Sequence, residues 1–261
     1  MPDVPFRGGG YATRPRRWVG LVVMIALLGL WWLGSARGWI SPIALPPPQD
    51  VLAAFRDLFV TGRIWDHLGA SLYRLGMGWF FGSLAGITVG LAMGLSRSVR
   101  GGAGPLVAAL FPVPKIALLP LFIVWFGVVG EGSKVATILF GAFFPTVINT
   151  LAGVDNVDRG LIRMGQSFGL SRWAIVRKII LPGAAPSILS GMRISSSICI
   201  VLLIAAEMIG AQNGVGAYIL FAGANYALGQ LIAGVMILSM LGLTVAWLIG
   251  LVEKRLLAWR G

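Results

Sequence analysis

Charged side chains are scarce in this sequence. They make up 11% of its 261 residues, while 57% are hydrophobic and the mean hydropathy is +0.87. Soluble domains carry about 25% charged residues, so a chain this poor in charge is an integral membrane protein. Cysteine is almost missing as well. Cys199 stands alone, which excludes a disulfide within the chain, and no grouping of His and Cys points to a metal site. The single histidine, His67, sits beside Asp66 in a polar stretch and reads as a solvated side chain. No GxxxxGK[ST] phosphate loop occurs, so the chain is not expected to hydrolyse ATP itself. A membrane-embedded enzyme needs clustered His, Asp or Cys at membrane depth. None is present, and no catalytic residue is assigned.

What charge there is has a strong sign, with a formal net charge of +12. The cations do not form one patch, as a nucleic-acid site requires; they fall in short groups between apolar runs. Six runs meet the requirement of about 20 apolar residues for a spanning helix: 18–34, 70–95, 105–127, 135–153, 187–210 and 228–251. With the N-terminus inside, the cytoplasmic parts carry Arg7, Arg14, Arg16 and Arg17, then Arg97 and Arg100. They also hold Arg159, Arg163, Arg172, Arg177 and Lys178, and finally Lys254, Arg255 and Arg260. The outer parts carry Arg37, Arg56, Arg63 and Lys134, with Arg74 at a span edge. Fourteen cations against five place both termini inside by the positive-inside rule. An alternative reading of the first run is a signal peptide cleaved after Ala36, which leaves the rest of the topology unchanged.

The organisation that follows is a cytoplasmic tail (1–17), a first span (18–34), an outer loop (35–69), a five-helix core (70–251) and a cytoplasmic tail (252–261). In the outer loop, Leu45–Pro48 is expected to be extended because proline blocks helix. From Asp50, an amphipathic helix places Val51, Leu52, Phe55, Leu58 and Phe59 at helical spacing. In the second span, Gly78, Gly82, Gly86, Gly90 and Gly94 recur every fourth residue. Small residues at that spacing let helix backbones approach closely in lipid, and the series is read as packing rather than substrate contact.

The third span holds Pro105, Pro112, Pro114 and Pro120, and irregular backbone at membrane depth requires burial or a cavity. Lys115 lies among these prolines, 12 residues before Gly127, roughly 18 Å at 1.5 Å per residue. Such a lysine is a candidate for the solute pathway; the alternative is an ammonium that snorkels or pairs with a carbonyl. Glu207, near the outer end of the fifth span, carries the same pair of readings, pathway or partner within the bundle.

Between the fourth and fifth spans runs a long basic segment, 154–186, "VDNVDRGLIRMGQSFGLSRWAIVRKIILPGAAP". Val154, Val157, Leu161, Met164 and Phe168 form one helical stripe, with Asp155 and Arg159 at ion-pair spacing. Gly169 breaks the helix and Ser171 caps a second one. That second helix puts Trp173, Ile175, Val176, Ile179 and Ile180 on one face, leaves Arg172 inside the apolar arc, and is expected to stop at Pro182 and Pro186. Two short amphipathic helices joined at a glycine are more than a passive connector. A helix anchored on lipid is the other reading.

Gly169, nine residues, Ile179, one residue, then Leu181–Pro182 resembles the cytoplasmic signature of binding-protein-dependent ABC importer permeases. The signature's opening Glu-Ala-Ala is replaced here by Arg163, Met164 and Gly165. "LPPPQDVLAAF", "PVPKIALLPLFIVWFG", "GAFFPTVINTLAGV" and "AAEMIGAQNGVGAYI" look like the nitrate, alkanesulfonate, taurine or bicarbonate branch. The resemblance implies an all-α type I importer permease fold in a bacterial inner membrane. It implies two copies enclosing one pathway, ATP-binding subunits docked on loop 154–186, and a soluble binding protein at the outer face. Arg163, Met164, Phe168, Gly169, Leu170, Ser171 and Arg172 would form the coupling surface. ATP and Mg would be held by the partner, with no cofactor on this chain. The competing class is a secondary transporter or channel with a lipid-anchored loop, but such transporters show matching interrupted helices in two halves. Here the proline-broken third span has no counterpart in the sixth.

Overall fold

The computed structural model describes residues 17–128 and 130–257, together with residues 6–7 and 10–11, which pair as a short antiparallel ladder. Beyond that ladder the described chain is helical. Helix α1 spans Arg17–Ala36, α2 Pro48–Val60 and α3 Arg63–Leu95. Helix α4 (Arg97–Leu110) is followed by a 3-10 turn at Lys115–Leu118 and by α5 (Leu119–Phe126). Helix α6 runs Glu131–Asp155 and the short α7 Arg159–Ser167. After α8 (Arg172–Ile175), a π-turn at Val176–Ile180 leads into α9 (Leu181–Met208). Helices α10 (Val215–Ala224) and α11 (Leu228–Leu256) follow. Among the described residues five helices are long and apolar enough to cross a membrane, and six spans result if the bent pair α4 and α5 counts as one. Arg14, Arg16 and Arg260 lie outside the described residues.

The glycine series sets the centre of the bundle. A Cβ at Gly78 would lie within 2.8 Å of Ile138, at Gly82 of Ala142, at Gly86 of Thr146, at Gly90 of Thr150 and at Gly94 of Val154. The numbering offset is the same at every step, so α3 and α6 run parallel with their backbones in contact. Burial from water drives no association inside lipid, and close packing of small residues takes its place. Parallel neighbours require a return crossing between them, which the bent pair α4–α5 supplies. Helix α9 packs antiparallel on the other side of α6: a Cβ at Gly153 would lie 2.8 Å from Ser187, and one at Gly191 2.6 Å from Asn149. Leu75, Ile138, Ala142, Cys199, Leu203 and Leu241 form the core where α3, α6, α9 and α11 meet. Helix α1 stands largely apart from it; the Trp31 Nε1–H donates to Pro46 O at 3.1 Å.

Four boundaries differ from the sequence reading, each for a backbone reason. The third span begins at Arg97, not 105, and turns by 94° between its halves, because Pro112 and Pro114 deprive the turn of two N–H donors. The second span begins at Arg63, after Gly62 with φ +72°, so residues 63–69 are helix and not outer loop. The extended stretch stops at Pro47, and Pro48 opens α2, a position whose N–H has no intrahelical partner in any case. Pro182 and Pro186 do not end the second loop helix. Residues Arg172–Met208 form one unbroken helical run, since the wider π-turn removes the need for an N–H at Pro182.

Candidate functional site

The basic end of the bundle carries loop 154–186. Asp158 starts α7 by accepting the Gly160 N–H at 2.7 Å. Two hydrogen bonds close its other end: Leu170 N–H to Gly165 O at 3.0 Å and Gly169 N–H to Gln166 O at 2.9 Å. This is the Schellman pattern, which needs a left-handed residue at the turn, and Gly169 has φ +71°. Ser171 then caps α8 by accepting the Ala174 N–H at 3.3 Å. Gly165 is buried where a Cβ would come 2.9 Å from Ile179, so the two short helices close on each other over it. Beneath them Val154, Val157, Ile175, Ile180 and Ala184 form a buried cluster. The outcome is a rigid knuckle with an apolar base.

Its outward side is apolar too. Phe168 is 79% exposed and Trp173 69%, with Leu161 and Met164 open beside them. Arg159, Arg163, Arg172, Arg177 and Lys178 are exposed around this patch. Three features depart from the sequence reading. Helix α6 ends at Asp155 and α7 begins at Arg159, so Val154 and Val157 belong to the base and Leu161, Met164 and Phe168 to the tip. Asp155 pairs with Arg100 at 2.5 Å, not with Arg159, because the chain leaves the helix between them. Trp173 points away from the face shared by Ile175 and Ile180, and Arg172 is exposed.

At the far end of the bundle the structure gathers charges that the sequence reading kept apart. Arg74 (2% exposed) bonds Glu207 Oε1 at 2.8 Å and Asn213 O at 2.6 Å through Nη1. Its Nε and Nη2 hold Glu131 at 2.5 and 2.8 Å. Glu207 (1% exposed) also accepts from Ser71 Oγ–H and from the Gly216 N–H, each at 2.8 Å. Lys134, counted above with the exterior cations, is buried, and its Nζ donates to Val128 O and Gly130 O at 2.8 and 3.0 Å. His67 is not a loop residue: it sits on α3, and its Nδ1 accepts the Gly214 N–H at 3.2 Å. A sequence signal for Arg74 existed. It stands four residues before Gly78, one further step of the glycine series, and therefore faces α6.

Lys115 lies elsewhere, at the bend between α4 and the 3-10 turn, and the structure does not bring it to Glu207. Its ammonium donates to Phe111 O and lies 5.0 and 5.1 Å from the Phe111 and Phe144 ring centroids. Its contacts are thus a carbonyl and two aromatic faces rather than a carboxylate. Among the described residues no cluster of His, Cys, Asp and Glu could hold a metal ion.

Comparison with known proteins decides the family. Residues 82–258 match the model described as the binding-protein-dependent transport system inner membrane component. This chain is a binding-protein-dependent ABC permease. It is 39% identical over 243 residues to the taurine transport system permease protein TauC of Escherichia coli (strain K12), covering 91% of this chain and 88% of that protein. It is 34% identical to the aliphatic sulfonates transport permease protein SsuC (a putative assignment) of Bacillus subtilis (strain 168), over 92% and 87% of the two chains. An inward-facing MetNI methionine ABC transporter shares the fold, with TM-score 0.64 at 20% identity, over 74% of the permease and 97% of that chain. The permease is a multi-pass membrane protein and not an enzyme; in such systems ATP hydrolysis lies in a separate ATPase subunit, and a substrate-binding protein completes the assembly.

Proposed function

We propose that the permease moves a small organosulfonate anion, of the taurine or alkanesulfonate type, across a bacterial inner membrane. The names of its relatives support the cargo. Two identical copies enclose the pathway, and both termini and the basic end face the cytoplasm, as the cation distribution favours. The binding protein delivers solute at the far end. Each copy docks one ATP-binding subunit through Arg163, Met164, Phe168, Gly169, Leu170, Ser171 and Arg172, and ATP with its Mg stays on that partner. ATP closes the ATPase dimer, the knuckles are drawn together, and the spans reorient. Lys115, held at a bend in the broken span, attracts the anion on its way. Glu207 serves the pathway only indirectly, by holding the far end together with Arg74.

The observation that carries this reading is the knuckle: a patch of exposed Phe168, Trp173, Leu161 and Met164 on a rigid buried base. Apolar surface of this kind, rimmed by charge, marks an interaction site. The deciding experiment is Gly169→Pro in the complex reconstituted in proteoliposomes. Proline cannot reach the φ of +71° and removes the N–H that bonds Gln166 O. Membrane insertion should persist while ATP-driven taurine uptake falls at least about ten-fold and the ATPase subunit no longer co-purifies. Normal uptake by Gly169→Pro refutes the docking assignment.

A further inference from the structure

At the far end of the bundle a recess of about 540 Å³ opens between the first turns of α3, residues 208–212, α10 and the start of α11. Its polar walls are Arg63, His67, Gln212, Tyr218 and Gln230, and among the described residues no carboxylate lines it. Met208 and Phe221 supply apolar wall beside them.

The wall is held from behind. Gly214, Val215 and Gly216 donate their N–H groups to His67 Nδ1, Ser71 Oγ and Glu207 Oε2 at 3.2, 2.9 and 2.8 Å. These bonds fix the start of α10 against the buried Arg74 and Glu207 pair. Because Nδ1 of His67 accepts, the ring's proton sits on Nε2, which makes the imidazole a donor. The Tyr218 ring lies 5.4 Å from it and carries a hydroxyl able to donate. Arg63 pairs with Asp57 at 3.3 Å, but both side chains are more than half exposed. An exposed pair of this kind is weak, so the guanidinium is available to an incoming anion.

We infer that this recess is a receiving site for the anionic head of the solute, with its short apolar body against Met208 and Phe221. The inference rests on the organosulfonate reading above and adds the place where the permease first takes the solute. A sulfonate presents three acceptor oxygens and no donor. It matches a wall that offers a guanidinium, an imidazole N–H, a phenol and two amides, whereas a cation would meet the Arg63 guanidinium with no carboxylate on the wall to offset it. A pocket of mixed apolar wall and convergent polar groups is the usual form of a small-molecule site.

The test uses 2,2,2-trifluoroethanesulfonate as probe, observed by fluorine NMR with the permease–ATPase complex in nanodiscs and no binding protein present. The probe line should broaden, ethanesulfonate should reverse the broadening, and ethylammonium should not. Arg63→Gln combined with Tyr218→Phe should weaken binding about ten-fold or more, the scale of losing hydrogen bonds to a charged group. Tyr218→Phe keeps the ring and Arg63 is largely exposed, so neither exchange should disturb folding, and Gly76→Ala, at a position with open space around it, is the control that should bind as the parent does. Broadening that survives the double variant, or that ethylammonium reverses equally, overturns the site. Taurine uptake by the complete importer separates the two claims. Uptake without recess-dependent broadening removes the receiving site alone. Recess-dependent broadening without sulfonate uptake keeps an anion site there and removes the cargo assignment.

Discussion

A carboxylate with 1% of its surface exposed needs nearby groups to replace the water it has lost. Glu207 has a guanidinium, a hydroxyl and a backbone N–H within 2.8 Å, and Arg74 in turn has two carboxylates. Breaking such a buried pair by removing one partner typically costs about 3–5 kcal/mol, because the other charge is stranded. Arg74→Ala should therefore lower the thermal stability of the detergent-solubilised permease more than Glu207→Ala, since it strands the buried Glu207 whereas Glu207→Ala leaves Arg74 paired with Glu131. Glu207→Gln, which keeps the shape and most hydrogen bonds, should fall between Glu207→Ala and the parent. Equal melting temperatures for parent and Arg74→Ala would contradict the packing described. Lys115 makes a different case. Its neighbours are a carbonyl and two rings, so Lys115→Met should leave assembly with the ATPase intact. Sulfonate uptake should fall, and full uptake would remove Lys115 from the pathway.

Among elements, the contact of α3 with α6 is the one most open to test. A Cβ at Gly82 would stand 2.4 Å from Leu139 O, with no room around it, while one at Gly76 on the same helix meets nothing within 4 Å. Gly82→Ala should destabilise the bundle by about 1–3 kcal/mol through overpacking. Gly76→Ala should be neutral or slightly stabilising, as alanine is the better helix former by about 1 kcal/mol. Denaturation of the two variants side by side checks the contrast. Close packing along this face of α3, though not its partner, was legible in the sequence because a four-residue repeat of glycine has few other uses inside lipid. The Gly169 turn and the Ser171 cap were legible for a similar reason: each residue type solves a local backbone problem. Proline was less informative. Pro112 and Pro114 bend their span sharply, yet Pro182 sits inside an unbroken helical run, because a π-turn upstream changes which N–H groups are needed. Pairings across the chain were not legible at all. Arg74 and Glu131 are joined only by the folded arrangement, and the local spacing of Asp155 and Arg159 pointed to a partner that the fold replaces with Arg100.

For the whole molecule, the family assignment makes transport depend on a second protein's nucleotide and not on an ion gradient. Reconstituted with its ATPase and binding protein, the permease should import sulfonate when ATP is supplied inside the vesicle lumen facing its basic end. Collapse of proton and sodium gradients should leave the rate unchanged, and omission of ATP should abolish it. Gradient-driven uptake without ATP would contradict the mechanism. The sequence carried this assignment through a few motifs spread over most of the chain, whereas the recess between α3, α10 and α11 comes from segments far apart and has no local signature.

The evenly spaced contact between α3 and α6 has a consequence for alignment. A row of near-identical notches fits its counterpart almost as well after sliding by one notch, four residues or roughly 6 Å, so the repeat by itself is ambiguous about phase. The permease fastens both ends of the row with charge. Arg74, buried one step before the first notch, grips Glu131, and Arg100, on α4 just past the last notch, adds a weaker, half-exposed grip on Asp155. A displaced setting forfeits both grips at once, so two ion pairs act as locating pins for a joint that would otherwise behave as a ruler without a zero.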